Sequence, residues 1–102
     1  MPERDFEIWI DGTTAIRIYQ STHRGRLVSF VVVLVALIEG KWIAVGRFDT
    51  AHGIPHQDIL GYKGGLLEKV WYDEAAPKDV FGLAIATFQE DHEQIKNDYL
   101  SH

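Results

Sequence analysis

The chain has no cysteine among its 102 residues, which excludes a disulfide framework, a thiolate metal site and a cysteine nucleophile. Any catalysis then falls to His, Asp, Glu, Ser, Thr, Tyr, Lys or Arg. The amino terminus, MPERDFEIW, lacks a basic segment followed by an apolar run, so no secretory signal is expected and the cytoplasm is the expected location. The longest apolar run, Leu27 to Ile38, is broken only by Ser29. It is shorter than the roughly 20 residues a membrane-spanning helix needs, and its χ1-stiff valines suit a pleated sheet. It reads as a long central strand buried on both faces, with no membrane association. A phosphate cradle is missing as well: the Gly pair after Lys63 has neither the spacing nor the following helix, and no Gly-x-Ser-x-Gly elbow occurs. Repeats, low-complexity tracts and linkers are also absent, so residues 1–102 read as one domain.

Charge is distributed unevenly. Over residues 1–72 eight Lys and Arg balance eight acids, and the last 30 residues carry two Lys against seven acids, so the whole net charge of −5 lies there. An acidic segment repels nucleic-acid phosphates, and direct DNA binding is not expected, although a local arginine cluster could still grip a phosphate.

The pattern along the chain is strands first, then one helix. FEIWI, a DGT turn and TAIRIYQ form a hairpin. A three-residue loop at Asp11, Gly12 and Thr13 puts Phe6 and Ile8 opposite Ile18 and Ile16, and Glu7 opposite Arg17, which keeps arginine off the apolar face. STHRGR follows as a basic connection, then the long strand, a turn at Glu39 and Gly40, and a strand from Lys41 to Thr50. Strict alternation sets Lys41, Ile43, Val45, Arg47 and Asp49 on one face and Trp42, Ala44, Gly46 and Phe48 on the other. HQDILGY and LLEKVWY make a further hairpin. From Asp79 the period changes: Phe81, Ile85, Phe88, His92, Ile95 and Tyr99 recur on one helical face, with Pro77 and Asp79 as start signals. The predicted fold is α+β: an antiparallel sheet of five or six strands built from hairpins, with one long C-terminal helix packed across one face. Trp9, Trp42, Trp71, Tyr19 and Phe48 exceed what one helix covers, which points to a partner surface or a homodimer.

The segment from Arg47 to Asp58, RFDTAHGIPHQD, gathers the candidate site: Arg47, Asp49, His52, His56 and Asp58. Three readings stay open. In the first, Asp49 and Asp58 cap turns and the histidines are solvated or hydrogen-bonded. In the second, imidazoles and carboxylates bind zinc or another divalent ion, although Gly53 and Pro55 disfavour the helix that usually supports His-x-x-x-His. In the third, His52 and His56 act as base and acid on an RNA phosphodiester. Arg47, helped by Arg24, Arg26 or Lys63 if they lie near, would then hold the phosphate, and Asp49 or Asp58 would orient an imidazole. That chemistry requires no cofactor. A protein-interaction or dimerisation module without catalysis is the competing class. His92 reads as a hydrogen-bonded histidine at the core margin, His23 as solvated in the basic loop, and His102 as a disordered terminus.

Phe48, Asp49, Ala51, His52, Pro55 and His56 resemble the TumE-like group of small toxins from prokaryotic toxin–antitoxin pairs, which carry an aromatic, an aspartate, a small residue, alanine and then histidines at a strand-to-loop position. That group tends to have paired histidines and a longer loop between them; here single histidines flank Gly53, Ile54 and Pro55. The resemblance implies an intracellular toxin acting on RNA or translation, neutralised by a DNA-binding antitoxin protein.

Overall fold

A computed structural model describes residues 3–50, 53–63 and 65–102. Strands β1 (Glu3–Asp11), β2 (Thr14–His23), β3 (Arg26–Ile38), β4 (Lys41–Asp49), β5 (His56–Gly61) and β6 (Gly65–Trp71) precede helix α1 (Pro77–Ser101). The six strands form one antiparallel sheet in chain order, every neighbour joined to the next. Local chemistry explains the tight connections. Arg24–Gly25 and Glu39–Gly40 have φ of 53°, 76°, 50° and 78°, the positive pairs of a two-residue hairpin turn whose twist matches that of the flanking strands. The first hairpin has the register expected from its faces, with Phe6 opposite Ile18, Ile8 opposite Ile16 and Glu7 opposite Arg17.

Helix α1 begins at Pro77, whose missing N–H costs nothing in a first turn. It lies across β2 to β5 and inserts Val80, Ala84 and Phe88 into a core made with Ile16, Ile18, Phe30, Val32, Leu34 and Phe48. Its carboxyl end is ordered: the His102 ring nitrogen Nδ1 lies 2.8 Å from the Asp98 carbonyl, so the expectation of a disordered terminus is corrected. Only one sheet face receives the helix. Phe30, Val32, Leu34 and Ala36 are therefore buried, whereas Val31 and Val33, pointing the other way, are half-buried, which corrects the expectation of a β3 covered on both faces.

A bulge re-phases β4. Leu34 pairs with Gly46 but Val35 with Ala44, leaving Val45 as the extra residue. Lys41 and Ile43 consequently share the helix face with Gly46 and Phe48, and Trp42 and Ala44 share the open face with Arg47 and Asp49. Strict alternation had put these sets the other way round before residue 45. Phe48 is buried under α1 and leaves the aromatic surplus, while Trp9, Tyr19, Trp42 and Trp71 are all exposed. The rings of Trp9 and Trp42 meet edge to face at 5.3 Å although their strands are three apart. They do so over Ala15, Val35 and Ala44, whose small or short side chains leave room for two indoles.

Candidate functional site

Antiparallel pairing assembles the site on the open face. Arg47 on β4 stands opposite Asp58 on β5, which stands opposite Lys69 on β6; one pair along, Asp49 faces His56 and His56 faces Trp71. Cross-strand partners share a face with Cβ atoms about 5 Å apart, so two adjacent rows bring these side chains together. The loop from β4 to β5 is pinned at both ends. The Thr50 hydroxyl accepts from the Phe30 N–H at 3.0 Å, and the Tyr72 N–H donates to the Pro55 carbonyl at 2.9 Å. Gly53, at φ 83°, takes the left-handed turn in between.

Asp58 is the centre of the cluster and is 1% exposed. Its Oδ2 accepts from Arg47 Nε at 2.9 Å and from Nη2 of the same guanidinium. Its Oδ1 lies 3.1 Å from the Lys69 ammonium. That contact is an ion pair whose angle is poor for a hydrogen bond, and among the described residues Oδ1 accepts no hydrogen bond of good geometry. Burial by itself would push the Asp58 carboxyl up; the Arg47 hydrogen bonds and the close positive charges of Lys69 and Arg47 outweigh it and hold the group below the ordinary carboxylate value.

His56, also 1% exposed, packs against the Trp71 ring at 4.9 Å. Its Nδ1 lies 3.0 Å from the Ile54 carbonyl and its Nε2 2.9 Å from Asp49 Oδ1. Nδ1–H donates to the carbonyl, while Nε2 has both an acceptor, Asp49, and a donor, the Lys69 ammonium, within reach, so its role follows the tautomer. Asp49 Oδ2 is in turn 3.3 Å from Arg47 Nε, and Lys69 Nζ is 3.3 Å from His56 Nε2. The Arg47 and Lys69 side chains are 38% and 30% exposed, so the two cations form the water-facing rim and His56 and Asp58 the floor. With the imidazole doubly protonated, three cations meet two carboxylates and the cluster carries a net charge of +1; with it neutral, zero.

Of the five residues expected at the site, Arg47, Asp49, His56 and Asp58 converge, and His52 lies outside the described residues. The cations suggested to assist Arg47 are elsewhere. Arg26 lines a cavity of about 490 Å³ against the start of α1, and Lys63 bonds to the end of α1 through its backbone N–H. Lys69 takes their place and was not anticipated. A bulge at Leu67 is the reason: Leu60 pairs with Leu66 but Ile59 with Glu68, whereas an unbroken hairpin would have set Glu68 opposite Asp58. His92 is half-buried on α1, on the far side of the sheet from the cluster, and His23 is exposed at the end of β2.

Asp49, His56 and Asp58 each offer one ligand atom within 4.8 Å of the others, a donor set of nitrogen and oxygen that suits a divalent ion. The Lys69 ammonium already lies between two of those atoms. Beside the cluster the open face continues as a groove of about 510 Å³ floored by Val31 and Val33 and walled by Tyr19, Arg17, Asp5 and Glu7.

Fold and site together define a small α+β protein whose meander sheet carries a buried ion network on the face that the helix leaves open. Within that class the chain belongs to the family described as a domain of unknown function (DUF7718), which matches residues 1–102. No curated protein and no solved structure matches it.

Proposed function

We propose that the open face binds a phosphodiester of single-stranded RNA and cleaves it, in a toxin-like role of the kind the TumE resemblance implies. The observation that carries this reading is the pair of partly exposed cations, Arg47 and Lys69, set 3.3 Å from the Asp49 carboxylate and the His56 imidazole respectively. Attack of a 2′-hydroxyl on phosphorus needs a cationic grip on the phosphate oxygens and groups that take and give a proton. Arg47 and Lys69 supply the grip. Asp49 lies 2.9 Å from His56 Nε2 and holds the ring in place; because Nδ1 faces the Ile54 carbonyl, proton exchange with RNA in this reading requires the substrate to displace Asp49 from Nε2. The second proton-transfer group of this reading is His52. A phosphate arriving at the rim meets a cluster that is neutral or at +1, so it is not repelled there even though the chain as a whole is acidic. An antitoxin partner covering the open face would complete the toxin reading, and a cytoplasmic setting would fit it.

A second reading has its own observation: the buried Asp58 Oδ1 without a well-formed hydrogen bond, next to His56 Nε2 and Asp49 Oδ1. In that reading a divalent ion replaces the Lys69 ammonium.

One experiment tests both. The purified protein is incubated with a single-stranded RNA oligonucleotide, with and without a chelator, beside His56→Ala and Lys69→Met. Cleavage leaving 2′,3′-cyclic phosphate ends, indifferent to the chelator and reduced at least 10²-fold in His56→Ala, is expected from a lost proton-transfer group. Cleavage lost with the chelator and retained by Lys69→Met would support the ion instead. Absence of any cleavage, or cleavage unchanged in His56→Ala, would overturn the ribonuclease assignment.

A further inference from the structure

We infer that a second copy of this chain covers the open sheet face, related by a two-fold axis parallel to the strands and lying between β3 and β4. This inference rests on geometry other than that of the proposed activity but uses the same face: the dimer buries the Arg47 and Lys69 rim, so RNA reaches the cluster only in the monomer.

The sheet has helix α1 on one side only, and its other side exposes aromatic rings: Trp9 is 55% exposed and Trp71 47%. Exposed aromatic rings on either side of a charged row form a mixed surface of the kind that interfaces use. Symmetry and charge select the occupant. Along one cross-strand row the open face reads Glu7, Arg17, Val33, Arg47, Asp58, Lys69, a sequence of signs −, +, 0, +, −, +. A two-fold axis along the strands reverses the row over itself. Glu7 then falls over Lys69 of the second copy and Val33 over its Arg47, while Arg17 falls over the strand position of Asp58, whose carboxylate is buried beneath Arg47 and Lys69; the pair of accessible charges that meets, Glu7 with Lys69, is of opposite sign and occurs at both ends of the interface. An axis across the strands would instead set each side chain over its own symmetry mate, Glu7 over Glu7 and Lys69 over Lys69. The same reversal lays Leu37 on Trp42 of the second copy. Self-complementarity of one patch is what an isologous dimer requires.

Size and geometry agree. Five strand spacings of about 4.8 Å give a face about 24 Å wide, and the molecule measures 42 × 27 × 20 Å. A face of those dimensions approaches the roughly 800 Å² per partner of a standard interface. Aligned sheets cross at about 30°, which displaces the outermost pairs along the strands by a distance that long Glu, Lys and Arg side chains span. The assembly places the partner's β1 over Lys69 and its β3 over Arg47, and so closes the cluster.

The test is the oligomeric state of the full chain, measured by sedimentation equilibrium from the low micromolar to the high micromolar range. The wild type is expected to dimerise. Glu7→Lys, which sets like charges face to face at both ends of the interface, is expected to weaken the dimer at least about tenfold, and Glu7→Lys with Lys69→Glu to restore it. Because Lys69→Glu removes a partner of Asp58 and the double variant can fail to fold, thiol crosslinking with a flexible bismaleimide supplies a second measurement: the chain has no cysteine of its own. Glu7→Cys combined with Lys69→Cys is expected to give a dimer covalently joined by the bismaleimide, whose reach spans the displacement of the edge pair, and neither single variant to do so with comparable yield. A wild-type chain that stays monomeric throughout, a dimer indifferent to Glu7→Lys, or a paired-cysteine variant that does not crosslink would each overturn the inference.

Discussion

Asp58 shows how one side chain decides whether this cluster is stable. A carboxylate with 1% of its side chain exposed would be costly without partners, and here two cations from the neighbouring strands answer it. Its folded carboxyl lies below the ordinary value, so the sign of the linkage is fixed. The stabilisation is fully present above the unfolded value of about 3.9 and is lost as pH falls through the folded one. Asp58→Asn keeps the shape and removes the charge, leaving Arg47 and Lys69 without their common partner. The expected cost near pH 7 is about 2–3 kcal/mol, less than the usual loss on breaking a buried pair, because both cations keep about a third of their side chains in water. Urea unfolding should show that deficit at pH 7 and a progressive narrowing between variant and wild type as pH falls below about 3.9 and through the lowered folded value. A deficit that persists unchanged in acid would mean that packing, and not charge, holds Asp58 in place.

At the scale of the elements, single inserted residues matter more than composition. Gly46, beside the Val45 bulge, lies tight against α1: a Cβ on it would meet Phe88 Cε1 at 3.2 Å and Ile95 Cγ2 at 3.3 Å. Both neighbours are held by other core contacts, so Gly46→Ala is expected to overpack the contact and cost about 1 kcal/mol or more. In a chain of this length each kcal/mol lowers Tm by roughly 4–8 °C, and a thermal melt followed by circular dichroism checks it. An unchanged melting temperature would mean that the helix can ride outward freely. The same bulge marks the limit of what the sequence reveals. Periodicity was enough for the α+β class, the order of the elements and the register of the first hairpin, because Glu7 and Arg17 can share a polar face only in that register; for α1 it placed Phe88 in the core, but the buried face turns toward Val80 and Ala84, leaving Phe81, Ile85, His92, Ile95 and Tyr99 half-buried. It was also enough to align Arg47 with Asp49, since alternation holds from Gly46 onward. It missed Lys69 and misplaced Trp42 and Ala44, because one extra residue flips every side chain beyond it and the bulges at Val45 and Leu67 carry no mark in hydrophobicity. The isolated Gly46 inside a strand pattern was the available hint.

For the molecule as a whole, the separation of charge between its two layers gives the proposed RNA reading a test that no single site residue provides. The net charge of −5 resides in the last 30 residues, and within α1 Glu90, Asp91 and Glu93 are exposed. The ion cluster lies on the opposite face of the sheet, in a molecule 20 Å through its shortest axis. Across such a distance the acids act on a phosphate only through the solvent field. The screening length is about 8 Å at physiological ionic strength and about 30 Å at 0.01 M salt. Replacing the three acids together by Gln, Asn and Gln should therefore leave RNA binding within about twofold at physiological salt, where the field has decayed over more than two screening lengths, and strengthen it several-fold at 0.01 M. Fluorescence anisotropy with a labelled oligonucleotide at the two salt concentrations reads the difference directly. A large gain at both concentrations would require the acids to touch the nucleic acid, which would put the RNA on the helix side and leave Arg47, Lys69 and His56 as a structural network without a substrate.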